Sequence, residues 1–265
     1  MFEGLLYFVS CILGYVMSSS NNLTPLFQSL VQLEHEKQVV CKECSLYRLC
    51  LPLGLHNDDL VRLDKIIKRS QTYKRGQSLF IADLEFTSLF IVRSGSFKTT
   101  IFTRNGREQV TGFYFPADIV GLDAINTRSY KSHAKALESS TVCELPYELL
   151  QDLSKDMPQL QSQLLSRMGR ELYSDKELML LLGKKSADEK LATYLLSISR
   201  NFSERGFSAN DFQLSMSRGD IANHLGLAVE TISRLFSRFQ DDGLITITGK
   251  SISLIDMKIL KELCG

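Results

Sequence analysis

Residues 217–238 read SRGDIANHLGLAVETISRLFSR, and this stretch decides the fold. It has the internal logic of two helices joined by a tight turn. Ser217 can cap the first helix, with Asp220 three residues on, close to a capping box. Ile221, Ala222 and Leu225 form the inward face, and the small Ala222 lets a second helix cross closely. Gly226 supplies the turn, where a positive φ penalises any side chain. Leu227 plugs the corner. Ile232 and Leu235 face inward on the second helix, and Glu230, Thr231, Ser233, Arg234 and Arg238 face outward. That outward face has the chemistry of base readout. Arginine forks onto guanine O6 and N7, glutamate accepts from cytosine N4, and serine contacts base edges. Arg218, Thr231, Arg238 and Lys250 are placed to meet the DNA backbone. After Gly243, LITIT and SISLI flank Gly249-Lys250, a hairpin that makes residues 186–265 a winged helix-turn-helix domain.

Upstream, a helix is predicted from about 154 to 185, with Pro158 near its start. Leu160, Leu164, Met168, Leu172, Met179 and Leu182 recur at steps of three or four, so one face is apolar. Asp175 fills the missing place on that stripe. In a two-fold dimer built on this helix the two Asp175 carboxylates approach one another, and like charges leaving water oppose association. A weak dimer suits a switch that a few kcal/mol can bias.

Further upstream, residues 72–147 break into short β-like runs, clearest at 78–81, 88–92, 97–102 and 109–113. Asn105-Gly106 between two alternating runs is a hairpin signal. Regular short strands predict a sandwich or barrel-like roll. Residues 56–69 read as a helix, with Asn57 as N-cap and Asp58 and Asp59 favoured by the helix dipole. The whole is an α+β chain. A β-roll spans 41–153, followed by a long dimerisation helix and the winged domain.

Of six cysteines, Cys41, Cys44 and Cys50 crowd into ten residues, and Cys143 lies in the β region. A tight cluster points to metal or redox chemistry rather than disulfides. One CxxC, a third cysteine five residues further and a remote fourth suit either zinc or an iron–sulfur cluster. On spacing both stay open. Cys11 and Cys264 stand apart from these four.

The stretch VETISRLFSRF resembles the CRP/FNR family of bacterial regulators, in its fumarate and nitrate reductase regulator branch, and the resemblance runs from Cys41 onward. It implies an oxygen-labile [4Fe–4S] cluster on Cys41, Cys44, Cys50 and Cys143. It gives Cys11 and Cys264 no counterpart, and so implies that they are incidental. It implies a TTGAT half-site read by Glu230, Ser233 and Arg234, a palindromic DNA target, a homodimer, and Asp175 as the destabiliser of the oxidised dimer. RNA polymerase becomes an expected partner, with the turn at Arg104, Asn105, Gly106 and Arg107 as a candidate contact. The family's cAMP-binding members hold the cyclic phosphate with an arginine. Here the matching stretches, Gly121-Leu122-Asp123-Ala124 and Ser132-His133-Ala134, lack it. A buried phosphate without a cation is costly, so no cyclic nucleotide is expected. His133 reads as a packed or surface residue.

The rest of the composition sets bounds. The 265 residues carry a formal charge of +1 and 44% apolar residues, which allows two cores and names no partner. No catalytic triad, P-loop or GxGxxG appears, so an enzyme is not expected. Residues 5–17 are apolar but too short to span a bilayer, which needs about 20 residues. No membrane association is expected, and a cytoplasmic location is. Residues 1–40 read as an N-terminal extension, with a short helix at 24–36. Met17 fits as the translation start, and an amphipathic or partner-binding segment is the alternative.

Overall fold

The chain is described from a computed structural model covering residues 40–264. The expectations for residues 1–39, including the helix at 24–36, the start at Met17 and Cys11, lie outside the described residues.

Cys41–Glu43 and Tyr47–Leu49 each form a single 3-10 turn. Helix α1 follows at Asn57–Ile66. Strands β1 (Lys68–Tyr73), β2 (Ser78–Phe80), β3 (Ser88–Ser94), β4 (Phe97–Phe102), β5 (Glu108–Tyr114), β6 (Ile119–Val120), β7 (His133–Ala136) and β8 (Ser140–Pro146) come next. They make two antiparallel sheets, in the orders β1-β8-β3-β6 and β2-β7-β4-β5. Phe97, Leu89, Val92 and Leu145 are buried in the core of this roll, and each such side chain stabilises by roughly 1.5–3 kcal/mol. Gly95, at φ +73°, makes the turn from β3 to β4. A Cβ there would stand 2.2 Å from Ser140 Oγ and 2.6 Å from the Ser139 carbonyl, so no other residue fits.

Two expectations about α1 are corrected. His56 occupies the N-cap position, with no side-chain cap bond, and Asn57 is the first helical residue. The helix stops at Ile66, three residues short of the predicted end. Lys68 and Arg69 instead begin β1, because they pair in register with Glu144 and Cys143 of β8. A partner strand more than seventy residues away overrides a locally helical pattern.

Helix α2 (Tyr147–Lys155) leads to α3 (Pro158–Lys184), with Pro158 in its first turn. Then come α4 (Ala187–Glu204), β9 (Asp211–Gln213), α5 (Arg218–His224), α6 (Val229–Asp241), β10 (Ile245–Thr248), β11 (Ser251–Leu254) and α7 (Met257–Glu262). Strands β10, β11 and β9 form the wing sheet. Leu191, Leu195, Ile221, Ala222, Leu225, Ile232, Leu235, Phe236 and Phe239 build a second core. Ser217 and Asp220 form a full capping box at α5, and Gly226 turns at φ +62°.

The single apolar stripe predicted for α3 resolves into two uses. Leu160 is buried in the roll's core and Leu164 packs against it, while Leu182 packs on the second core. Met168, Leu172 and Met179 in the middle are exposed, with Leu165 and Tyr173 beside them. The inward face of the same helix runs through Leu160, Leu164, Arg167, Glu171, Leu178 and Leu181. At about 100° per residue the two rows diverge mid-helix. The row of steps read from sequence starts on one and drifts onto the other.

Candidate cysteine site and DNA-reading surface

Four backbone hydrogen bonds of i→i+3 type order the cysteine segment. The amides of Cys44, Tyr47, Cys50 and Leu53 donate to the carbonyls of Cys41, Cys44, Tyr47 and Cys50, at 3.2, 3.0, 3.4 and 3.2 Å. Cys41, Cys44, Tyr47 and Cys50 are therefore successive turn corners, which is why this spacing gathers the thiols within a short segment. Cys143 comes from β8, between Ile91 of β3 and Arg69 of β1.

Cys44, Cys50 and Cys143 lie within electrostatic reach of one another. Burial pushes the Cys50 thiol up to about 12, and Cys143 and Cys44 push it the same way. Burial raises Cys143 as well, with Arg69 and Arg93 opposing. Cys41 is held differently. Arg69 donates to its Sγ at 3.0 Å, and its backbone N–H donates to the Asp64 carboxylate at 3.1 Å. Arg69 also pairs with Asp64. Burial, then Asp64, pushes the Cys41 thiol up to about 12, while Arg69 acts the other way. Among the described residues no group of three or more His, Cys, Asp or Glu side chains is assembled closely enough to hold a metal ion. The structure thus brings the two cysteine-bearing stretches together and leaves Cys41 turned to Arg69.

The donor set fits a thiolate-ligated metal or iron–sulfur group. Four soft ligands come from two stretches, and Arg69, Arg93 and Arg167 supply positive charge beside them. A nearby cation favours the thiolate, the ligating form. Arg69, Asp64 and Arg167 escape a reading of sequence alone. Arg167 has a signal there, a cation at inward helical spacing from Leu160 and Leu164. Arg69 has none, because only its pairing with Cys143 identifies it. Cys264 lies elsewhere, its Sγ 3.2 Å from the Leu260 carbonyl.

On α6, Glu230, Ser233 and Arg234 are exposed along one face. The inward residues Ile232 and Leu235 are joined by Phe236 and Phe239, which hold the helix from behind. Among the expected DNA-backbone contacts, Lys250 is exposed at the wing turn and Thr231 is half-buried. Arg238 pairs with Asp188. Arg218, also expected on the DNA backbone, is half-buried in this structure. Its guanidinium lies 3.2 Å from the centroid of the Phe236 ring, with Nη1 buried and lacking a hydrogen-bond partner. Its place in the first turn of α5 sets it over α6 rather than into solvent.

Helix α5 is tied to the roll. Lys98 Nζ meets Asp220 at 2.7 Å, and the Val110 amide donates to Asn223 Oδ1 at 2.5 Å. The Asn223 amide donates to the Glu108 carbonyl at 2.9 Å. Asn223 thereby satisfies the open edge of β5, the last strand of its sheet.

The stretches matched to a cyclic-nucleotide pocket hold one acid, Asp123, and Glu171 of α3 is within its electrostatic reach. Ser132 Oγ donates to Asp123 at 3.3 Å, and Tyr114 donates to Glu171 at 3.1 Å. Burial raises the Glu171 carboxyl to about 7, and Asp175, Asp123 and Asp118 add to that. Burial likewise raises Asp175. His133 packs edge-on to Phe102, with ring centroids 4.9 Å apart.

Comparison with known proteins agrees with this architecture. The Crp-like helix-turn-helix domain matches residues 189–263, and the cyclic nucleotide-binding domain matches 70–156. The chain is 50% identical over 228 residues to the transcriptional activator protein Anr of Pseudomonas aeruginosa, covering 86% of this chain and 93% of that one. It is 46% identical over 225 residues to the fumarate and nitrate reduction regulatory protein of Escherichia coli, covering 85% and 90%. Among solved structures, FixK2 from Bradyrhizobium japonicum superposes with a TM-score of 0.70 at 27% identity, covering 76% of this chain and 98% of that one. With a β-roll, a long helix and a winged helix-turn-helix in that order, the chain belongs to the CRP/FNR family of transcription regulators.

Proposed function

We propose that this chain is an oxygen-responsive regulator of anaerobic gene expression. In this reading Cys41, Cys44, Cys50 and Cys143 hold a [4Fe–4S] cluster, and the homodimer formed along α3 binds TTGAT-type palindromes. The observation that carries it is the convergence of Cys44 and Cys50 with Cys143 from a distant strand, beside Cys41 and its Arg69 anchor. When bound, such a cluster supplies an oxygen-labile tie between the 41–50 segment and β8. The names of the two close relatives support the same reading.

The chain's own residues do the rest. Asp64 holds Arg69 and the Cys41 amide, and so fixes where that thiol starts from. Met168, Leu172 and Met179 offer an exposed apolar row to a second copy, and Asp175 opposes its closing. Glu230, Ser233 and Arg234 read base edges in the major groove, and Lys250, Thr231 and Arg238 position the helix on phosphates. Arg218 joins them on leaving Phe236. The acids around Glu171 would repel a cyclic phosphate, so no cyclic nucleotide is used. RNA polymerase is the expected further partner, and the chain acts in the cytoplasm without catalysing a reaction. Among the described residues no helix is long and apolar enough to cross a membrane.

Anaerobic purification tests this directly. The expected outcome is a brown protein with iron and sulfide in equal amounts, bleached by air, with dimer and DNA binding lost in step. A colourless protein holding one zinc would instead make it a zinc-stabilised regulator indifferent to oxygen.

A further inference from the structure

The long helix touches the cysteine segment through one polar side chain. Arg167, half-buried on the inward face of α3, donates from Nη2 to the carbonyl of Leu49. Leu49 closes the second 3-10 turn, and Cys50 follows it. Among the described residues no other hydrogen bond joins α3 to residues 41–50. We propose that Arg167 is the positioning residue that makes the placement of the dimer helix depend on the cysteine segment. The proposal rests on the cluster reading above.

The surroundings explain why one side chain can carry this. Arg167 sits among charges from three parts of the molecule. Its neighbours are Cys50 in the cysteine segment, Asp118 at the turn before β6, and Arg205 just after α4. Asp118 is already engaged, accepting from Arg205 at 2.6 Å and from the Phe115 amide at 2.8 Å. Arg205 also donates to the Pro116 carbonyl at 2.7 Å. Arg170 and Arg205 repel Arg167, and burial disfavours its charge. Among the described residues the Leu49 carbonyl is its one hydrogen-bond acceptor. If the 41–50 segment withdraws, a half-buried guanidinium loses its acceptor and keeps only Asp118, already shared with Arg205, against two like charges, a state that burial disfavours. On this proposal α3 turns or shifts with the guanidinium, rather than the side chain alone swinging to solvent.

That helix has no slack on this side. Leu160 and Leu164 are packed on the roll's core, and Glu171, one turn beyond Arg167, is bonded to Tyr114. Arg167 and Met168 are sequence neighbours, about 100° apart around the axis. A turn of α3 that relocates Arg167 therefore re-aims Met168, Leu172 and Asp175 together.

The test uses the full chain, isolated without oxygen, as wild type, Arg167→Met and Arg167→Lys. Iron and sulfide content and visible absorbance are measured first, then dimer affinity by anaerobic sedimentation, before and after cluster removal. The expected result is that Arg167→Met keeps wild-type iron content and loses at least tenfold of the cluster-dependent gain in dimer affinity. Arg167→Lys keeps the charge but not the forked reach, and is expected to recover part of that gain. A full cluster-dependent gain in Arg167→Met overturns the proposal. So does parallel loss of iron, which would make Arg167 a residue that merely holds the site. If the wild type itself carries no iron and sulfide, the cluster reading falls instead. The Arg167 link is then decided by amide exchange in that protein. Faster exchange at Tyr47, Leu49 and Cys50 in Arg167→Met upholds it, and unchanged exchange overturns it.

Discussion

The helix-turn-helix and the cysteine site are built on opposite plans. The signals that start, turn and close α5 and α6 lie within residues 217–238, although both helices also pack on distant parts of the chain. The Ser217–Asp220 box starts the first helix, Gly226 makes the turn, and Ile221, Ala222, Leu225 and Ile232 seal it. The cysteine site needs Cys143 from β8, Arg69 from β1, Asp64 from α1 and Arg167 from α3. The difference teaches what a single substitution should do. A change on the reading face should alter one property. A change near the cysteines should be felt elsewhere, because its neighbours belong to other elements.

The largest effect is expected at Cys143. In the proposed reading, replacing it with serine removes the one ligand that lies outside the 41–50 segment. Iron content of anaerobically isolated protein should fall to near zero, while the winged domain stays folded by circular dichroism. Normal iron retention would break the comparison, since the site would then be as local as the reading helix. Next comes Arg234→Ala. Loss of a forked contact to a base is worth about 1–3 kcal/mol of discrimination. Binding to a TTGAT palindrome should weaken about tenfold or more, with iron content unchanged. Iron loss in that variant would show that the two regions are not separable.

How much of this was legible follows the same divide. The capping box, the Gly226 turn and the wing hairpin are read correctly from sequence because the groups that satisfy each are close by. The start of β1 is not. Lys68 and Arg69 look like the polar end of a helix, and only β8 makes them a strand. Four cysteines as one site can be suspected from their number, but iron over zinc comes from resemblance. The α3 stripe is half legible. Its period is right, yet the sequence cannot tell which leucines its own chain covers. Leu160 and Leu182 are taken by the two cores at the helix ends, and only the middle row is left for a partner. Arg218 shows a similar limit, since an arginine beside a reading helix suggests phosphate until Phe236 is seen beneath it.

A smaller effect is expected from the acids inside α3, which belong to the non-local side. Burial raises Glu171 from an ordinary 4.5 to about 7, with Asp175, Asp123 and Asp118 reinforcing the shift. The folded chain therefore holds this proton more tightly than the unfolded one. Its stabilising contribution is present in full below about pH 4.5 and is lost as pH rises through about 7. Thermal unfolding between pH 5 and 8 should show a decline on the order of 1–2 kcal/mol. Glu171→Gln keeps an acceptor for Tyr114 and should flatten that part of the profile. A variant that declines as steeply as the wild type would assign the proton to another acid of the group.

The smallest effect is expected at Asp175, and it tests the comparison most finely. Its carboxylate is exposed in one chain, in the row of Met168, Leu172 and Met179, and burial already raises its pKa. If two copies meet along that row, the two charges lose water together, and the cost is borne by association alone. Asp175→Ala should leave the monomer's unfolding free energy within about 0.5 kcal/mol of wild type, as for most surface changes. It should nevertheless tighten the dimer several-fold in air, and tighten DNA binding with it. Such a result would place the effect in the seam, away from the cysteine site. A gain in stability without a gain in dimer would return Asp175 to an ordinary surface position and move the seam off the Met168 row.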